Sequence, residues 1–195
     1  MQHDRHGAKQ PERFDPARAG VLDDTARFVY VDPERVVALL DAPASATILD
    51  FGTGSGTYAI EIARRLPAAI VLALDEQPEM LARLHAKPEV ASLRNLRAIG
   101  SDELAPYIGR IDRILALNVL HELGDDALAS FAALFADGGR ALVIDWNADV
   151  DRPVGPPNDH VYGIDAARAR LESVGLEAES APAFPYHHAF IIRSL

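Results

Sequence analysis

The chain has no cysteine, so neither a disulfide framework nor thiolate chemistry is open to it. It has no block of lysines or arginines, and 19 basic residues face 29 acidic ones for a formal net charge of -10. That balance argues against nucleic-acid phosphates or an anionic membrane as the main partner. No apolar run reaches the length that crosses a bilayer. The opening residues, MQHDRHGAKQPER, lack the apolar stretch of a secretory signal. A cytoplasmic protein is therefore the expectation. Internal repeats and low-complexity segments are missing as well. What remains is a 195-residue chain, 49% hydrophobic, of a size to build one domain with a sizeable core.

The chain is organised around residues 47–63, TILDFGTGSGTYAIEIA. Ile48, Leu49 and Phe51 form an apolar run of strand length. Gly52, Gly54 and Gly56 follow at every second position, and Tyr58, Ile60, Ile62 and Ala63 open a helix. Glycines so spaced let the backbone turn sharply and approach a ligand with no Cβ in the way. The free N–H groups of the new helix point into the same space. Asp50 sets a carboxylate at the lip of the turn. A dinucleotide site wants its third glycine three residues after the second, where Thr57 stands here. By itself such a turn is equally consistent with a plain connection and with a cofactor site.

The remaining segments alternate. Residues 1–11 read as a disordered tail, and 12–195 as a single domain with a helical cover over 12–45. In that cover Asp32, Pro33 and Glu34 form a helix start: N-cap, first-turn proline and first-turn acid. Residues 69–74 are a continuous apolar run ending at Asp75, as a strand buried on both faces should read. A helix over 78–93, interrupted at Pro88, leads to strands at 96–99 and 111–117. A helix over 125–136 should stop at Gly138 and Gly139 before a strand over 140–146. Residues 147–163 carry three prolines and two glycines without periodicity, a functional loop or a disordered one. Asp165 could cap the next helix, and two strand-like runs, 176–184 and 188–192, close the chain and should pair antiparallel. Repeated βαβ units mean a parallel sheet with helices on both faces.

The pattern D-x-G-x-G-x-G at 50–56 resembles motif I of the class I S-adenosylmethionine-dependent methyltransferases. Residues 72–81, LALDEQPEML, are similar to that family's second-strand motif, and 115–123, LALNVLHEL, to its fourth-strand motif. Residues 99–107, IGSDELAPY, resemble the adenine-edge segment, and 135–146, FADGGRALVIDW, the block before and along the fifth strand. The likeness runs from residue 33 to the end, and the FDPARA…LDD and GPPNDH elements resemble small bacterial members of the group that includes quinone and small-molecule methyltransferases. It implies an α/β, Rossmann-like doubly wound sheet, mostly parallel with an antiparallel C-terminal strand, and S-adenosyl-L-methionine as cofactor. Carried residue by residue, it assigns cofactor binding to Asp50, Gly52, Thr53, Gly54, Gly56, Asp75, Glu76, Ser101, Asp102 and Asn118. Asp75 holds the ribose-binding position, where one carboxylate accepts from both hydroxyls. Ser101 stands where many relatives have an acid, which moves the adenine-side carboxylate to Asp102.

Methyl transfer from sulfur needs a near-attack geometry above all, and a base only if the acceptor must lose a proton. By residue type His121 and His160 are the catalytic candidates, His121 being just past the fourth strand. A local hydrogen bond at a helix start is an equal reading for His121. His187 and His188 read as a solvated turn, and a His-His pair without a third ligand makes a poor metal site, so no metal is expected. Tyr30, Trp146 and Tyr162 are candidates for an acceptor pocket, with Gly155 and Gly163 as hinges of a closing loop. The expected partner is a small-molecule acceptor, with no nucleic acid and no membrane, and a homodimer stays open. Two alternatives accompany this reading: a non-catalytic module that binds S-adenosylmethionine or S-adenosylhomocysteine, and a weaker one, an NAD-dependent oxidoreductase.

Overall fold

The computed structural model describes residues 14–193; the expected tail at 1–11 lies outside the described residues. Seven strands form one sheet in the order β3-β2-β1-β4-β5-β7-β6. They are β1 Thr47–Phe51, β2 Ile70–Leu74, β3 Leu96–Ile99, β4 Ile111–Leu117, β5 Phe135–Trp146, β6 Glu177–Ser180 and β7 His187–Arg193. The first five pair parallel, and β7 runs antiparallel to both β5 and β6. The order reverses beside β1, where the chain passes from the β2–β3 side to the β4 side. In open α/β sheets ligands gather at the carboxyl ends of the strands at such a reversal.

Apolar runs without alternation make β1, β2 and β4 strands that bury both faces. One layer joins Ile48, Val71, Leu115 and Ile144 to α1 Pro33–Leu40 and α2 Thr57–Arg65. The opposite layer joins Leu49, Ile114, Val143 and Phe190 to α4 Asp125–Leu134 and α5 Ile164–Ser173. Helix α3, Pro78–His85, starts at a proline, and its Leu84 is fully buried.

Several expected boundaries move. Helix α3 ends at His85, and 88–92 form a 3-10 turn. Helix α4 ends at Leu134, two residues before the sequence reading placed its end. The Gly138–Gly139 pair lies within β5, where the ladder jumps from Ile111 opposite Phe135 to Arg113 opposite Arg140. Gly138 has φ +73, and a Cβ at Gly139 would meet the Ile111 carbonyl at 2.8 Å, so these glycines make a bulge and not a helix stop. Helix α5 is capped by Gly163, with Asp165 in its first turn. The penultimate strand is short, Glu177–Ser180, with one isolated bridge between Phe184 and His187. Ahead of α1 the cover is built of two 3-10 turns, Pro16–Leu22 and Thr25–Val29, capped by Asp15 and Asp24. No helix among the described residues is long and apolar enough to cross a membrane.

Candidate functional site

The glycine turn leaves β1 with Gly52, Gly54 and Gly56 at φ +71, +57 and +79, the left-handed region where a side chain is strained. Each glycine also answers to a different neighbour. A Cβ at Gly52 would sit 2.6 Å from Val119 Cγ2, and one at Gly56 2.3 Å from Leu84 Cδ1. At Gly54 the nearest atom is Leu22 Cδ1, at 3.0 Å, from the N-terminal segment. Asp50 is buried beneath the turn, not on its lip, and accepts a hydrogen bond from Thr53 Oγ1 at 2.6 Å. Burial pushes its carboxyl up to about 6, against the pull of the Thr53 hydroxyl.

Asp75 follows β2 and is 8% exposed. Its Oδ2 accepts from Gly54 N at 2.8 Å and its Oδ1 from Gln77 N at 2.9 Å. The carboxylate therefore pins the glycine turn to the end of β2. Burial raises its pKa, while these backbone donors oppose the rise. Glu76, Ser101 and Asp102 are exposed at the same edge, the last two in a 3-10 turn after β3.

Past β4, Asn118 adopts φ +57, and its Oδ1 is buried without a partner. A non-glycine residue held in that region is a form of strain that gathers at functional sites. His121 follows in a 3-10 turn, and its Nδ1 lies 2.9 Å from Asp145 at the end of β5. Asp145, 1% exposed, also accepts from the backbone N–H groups of His121 and Trp146, at 2.9 and 2.7 Å. Glu122 Oε1 stands 3.6 Å from His121 Nε2. Burial works against a charged imidazole, but Asp145 and Glu122 outweigh it, and the His121 pKa is raised. His121 thus belongs to a carboxylate–histidine pair rather than to a plain helix start. Asp145 was missed in the sequence, although its signal was there: like Asp50 and Asp75 it is an aspartate closing an aliphatic strand run.

The segment 14–31 lies across these strand ends. Phe14 N donates to Glu122 Oε2 at 3.1 Å, and Gln77 Nε2 donates to Phe14 O at 3.1 Å. Leu22 O accepts from Thr57 Oγ1 at 2.8 Å and from the Arg27 guanidinium at 3.2 Å. Lys87 pairs with Asp23 at 2.7 Å, and Tyr58 donates its hydroxyl to Val31 O at 2.8 Å. Beneath this strap Arg27, Tyr30, Tyr58, Asn118, Trp146 and His187 enclose a cavity of about 10 Å³. That holds about one water molecule. Arg27 is the second residue sequence reasoning passed over, because nothing in a short helical segment marks one arginine as a half-buried cavity wall.

His187 and His188 lie within β7, 2% and 1% exposed, and not in a solvated turn. Pairing with β5 sets Trp146 opposite His187 and Asp145 opposite His188, which draws both histidines into the sheet. The rings of Trp146 and His187 stack with centroids 4.1 Å apart. Tyr30 and Trp146 meet at the cavity, whereas Tyr162 packs in the opposite layer with Arg170 over its ring at 5.9 Å. His160 is exposed, its Nε2 4.0 Å from Asp159. The loop 147–163 is anchored at several points: Asp149 Oδ2 accepts from Ile164 N at 2.8 Å, and Arg152 lies 5.4 Å over the Trp146 ring. A Cβ on Gly155 would meet that ring at 3.1 Å, and one on Gly163 would meet Asp149 at 2.3 Å, so both are packing glycines. Among the described residues no group of three or more His, Asp or Glu is placed to hold a metal ion.

A family model described as a methyltransferase domain matches residues 24–192. A solved S-adenosylmethionine-dependent methyltransferase from Aquifex aeolicus superposes with a TM-score of 0.84 at 27% identity, covering 92% of this chain and 98% of that one. Demethylmenaquinone methyltransferase of Thermus thermophilus is 33% identical over 134 residues, 67% of this chain and 57% of its own length. Malonyl-[acyl-carrier protein] O-methyltransferase of Herminiimonas arsenicoxydans is 33% identical over 81 residues, 42% of this chain and 31% of its own. The match thus spans little more than half of the first curated relative and about a third of the second.

Proposed function

The chain belongs to the class I S-adenosylmethionine-dependent methyltransferase family, and from that premise we propose that it moves a methyl group from S-adenosylmethionine to a small molecule. One observation carries the reading. The ends of β1, β2 and β4 bring the glycine turn, the Asp75 carboxylate and the unpartnered Asn118 Oδ1 to one side of the sheet.

These residues fit the cofactor. Asp75 has lone pairs left after Gly54 and Gln77, and they suit ribose hydroxyls. Gly54 would present bare backbone once Leu22 moves aside. Asn118 Oδ1, an acceptor without a donor, suits the ammonium of an amino acid, and the Arg27 guanidinium suits its carboxylate. Ser101 and Asp102 stand at the edge beyond β3, on the adenine side in this reading. Bound there, the cofactor supplies an electrophilic methyl on a sulfonium sulfur.

The protein's own contribution is position and a proton acceptor. Asp145 accepts at Nδ1, so neutral His121 carries its proton there and leaves a basic Nε2 on the side of Glu122. An acceptor X–H gives its proton to Nε2 as X takes the methyl. The imidazolium so formed lies between Asp145 and Glu122. Tyr30 and Trp146 stand on the acceptor side; His160 and Tyr162 are left without a place at the reacting atoms. Calorimetry with S-adenosylhomocysteine and with NAD tests the cofactor: saturable heat with the first alone is expected, and binding of NAD alone overturns the reading. Methyl release with candidate acceptors then separates an enzyme from a module that only binds.

A further inference from the structure

His187 and its neighbour His188 are both buried with neither ring nitrogen hydrogen-bonded, and of the two only His187 lines the cavity under the strap. His187 is 2% exposed. A buried imidazole with neither nitrogen satisfied is disfavoured by folding alone, and any apolar ring of that size would fill the space better. The arrangement makes sense as a preformed half of an interaction. Asn118, whose Oδ1 is likewise buried and unpartnered, lines the same cavity. The other walls are rings: Tyr30, Tyr58 and Trp146, the last stacked on His187 itself.

We propose that His187, with Trp146 and Tyr30, is the recognition site for the methyl acceptor, and that the acceptor is a flat, uncharged ring bearing a hydroxyl group. This rests on the methyltransferase reading above. The flat ring follows from the aromatic walls, which bury a plane better than a chain. The hydroxyl follows from His187, whose unprotonated nitrogen needs a donor and whose N–H needs an acceptor. An uncharged acceptor follows because burial keeps His187 neutral and Arg27, the cation on this wall, is taken up by the cofactor's carboxylate in the reading above. Tyr30 and Arg27 belong to the strap, so its displacement enlarges the cavity without touching the sheet.

Trp146 is the single tryptophan of the chain, so tryptophan emission comes from the wall of this cavity. The protein is first loaded with S-adenosylhomocysteine, with binding verified by calorimetry. It is then titrated with resorcinol, with 1,3-dimethoxybenzene (the same ring with capped hydroxyls) and with benzoate. Resorcinol is expected to change the emission saturably and to bind about tenfold more tightly than the capped ring, the consequence of pairing a buried nitrogen. H187F keeps the stacked ring and removes the nitrogens; it should bring that ratio to about one with S-adenosylhomocysteine affinity unchanged. H187Q, which restores one acceptor, guards against a misfolded H187F and should keep part of the preference. A saturable response to benzoate above that to resorcinol, no response to resorcinol, or an undiminished preference in H187F overturns the proposal. Failure to bind S-adenosylhomocysteine at the start defeats the underlying methyltransferase reading instead, and this proposal with it.

Discussion

Asp50, Asp75 and Asp145 each close a parallel strand of the sheet, yet their partners give them different work. Asp50 is held under the glycine turn by Thr53. Asp75 ties that turn to β2 through two backbone donors. Asp75→Ala should therefore lower both S-adenosylhomocysteine affinity and stability, the latter by about 1–3 kcal/mol, because Gly54 N and Gln77 N lose a buried acceptor. Calorimetry and urea unfolding on the same variant check this, and intact stability would mean that the two donors find water. Asp145 acts through His121. Asp145→Asn should lower the His121 pKa from its raised position, a shift that an NMR titration of the imidazole reads without any acceptor. The sign for stability follows: a histidine raised on folding stabilises below its ordinary value and loses that contribution as pH climbs through the raised one. The variant should flatten this alkaline loss.

At the scale of elements, β7 carries an acid weakness in its two buried histidines. Burial pushes His187 down to about 3, with Asp145 opposing and Arg27, His188 and Arg152 adding to the fall; burial lowers His188 too. A base depressed on folding stabilises above its ordinary value, and the contribution is lost as pH drops from near 6.5 toward about 3. Asp50, raised to about 6, works the other way and gains as pH falls, so a single melting curve mixes the two. The comparison of H187F with the parent isolates β7. Thermal melts from pH 8 to pH 4 should show the parent losing more stability than the variant, and parallel curves would deny β7 this role.

For the whole molecule, the strap decides access. Leu22 stands over Gly54, and Phe14 bridges Glu122 and Gln77, so a cavity of only about 10 Å³ is left where the proposed function has cofactor and acceptor meet. Binding then requires a displaced strap. The Lys87–Asp23 pair, 2.7 Å apart, joins the strap to the end of α3. Lys87→Ala should speed S-adenosylhomocysteine association by up to about fivefold, the scale of a surface pair worth up to about 1 kcal/mol. Stopped-flow measurement of association tests it, and an unchanged rate would place the barrier elsewhere.

The alternation of strands and helices, the glycine turn and the strand-end position of Asp75 were readable in the chain because each rests on local pattern: apolar runs, spacing, punctuation. So were Asn118 and His121 as strand-end residues. What lay beyond reach depends on partners far along the chain. His121 meets Asp145 across 24 positions, and Leu22 O meets Thr57 across 35. Histidine polarity suggested a solvated turn at 187–188, but pairing with β5 extends β7 through both residues and buries them. The Gly138–Gly139 pair carried the same composition for a helix stop as for a bulge, and the ladder with β4 chose the bulge. Local composition determines which elements form and where a turn must be bare. Burial, and with it the charge state of Asp50, His121 and His187, is set only when distant segments close over one another and displace water.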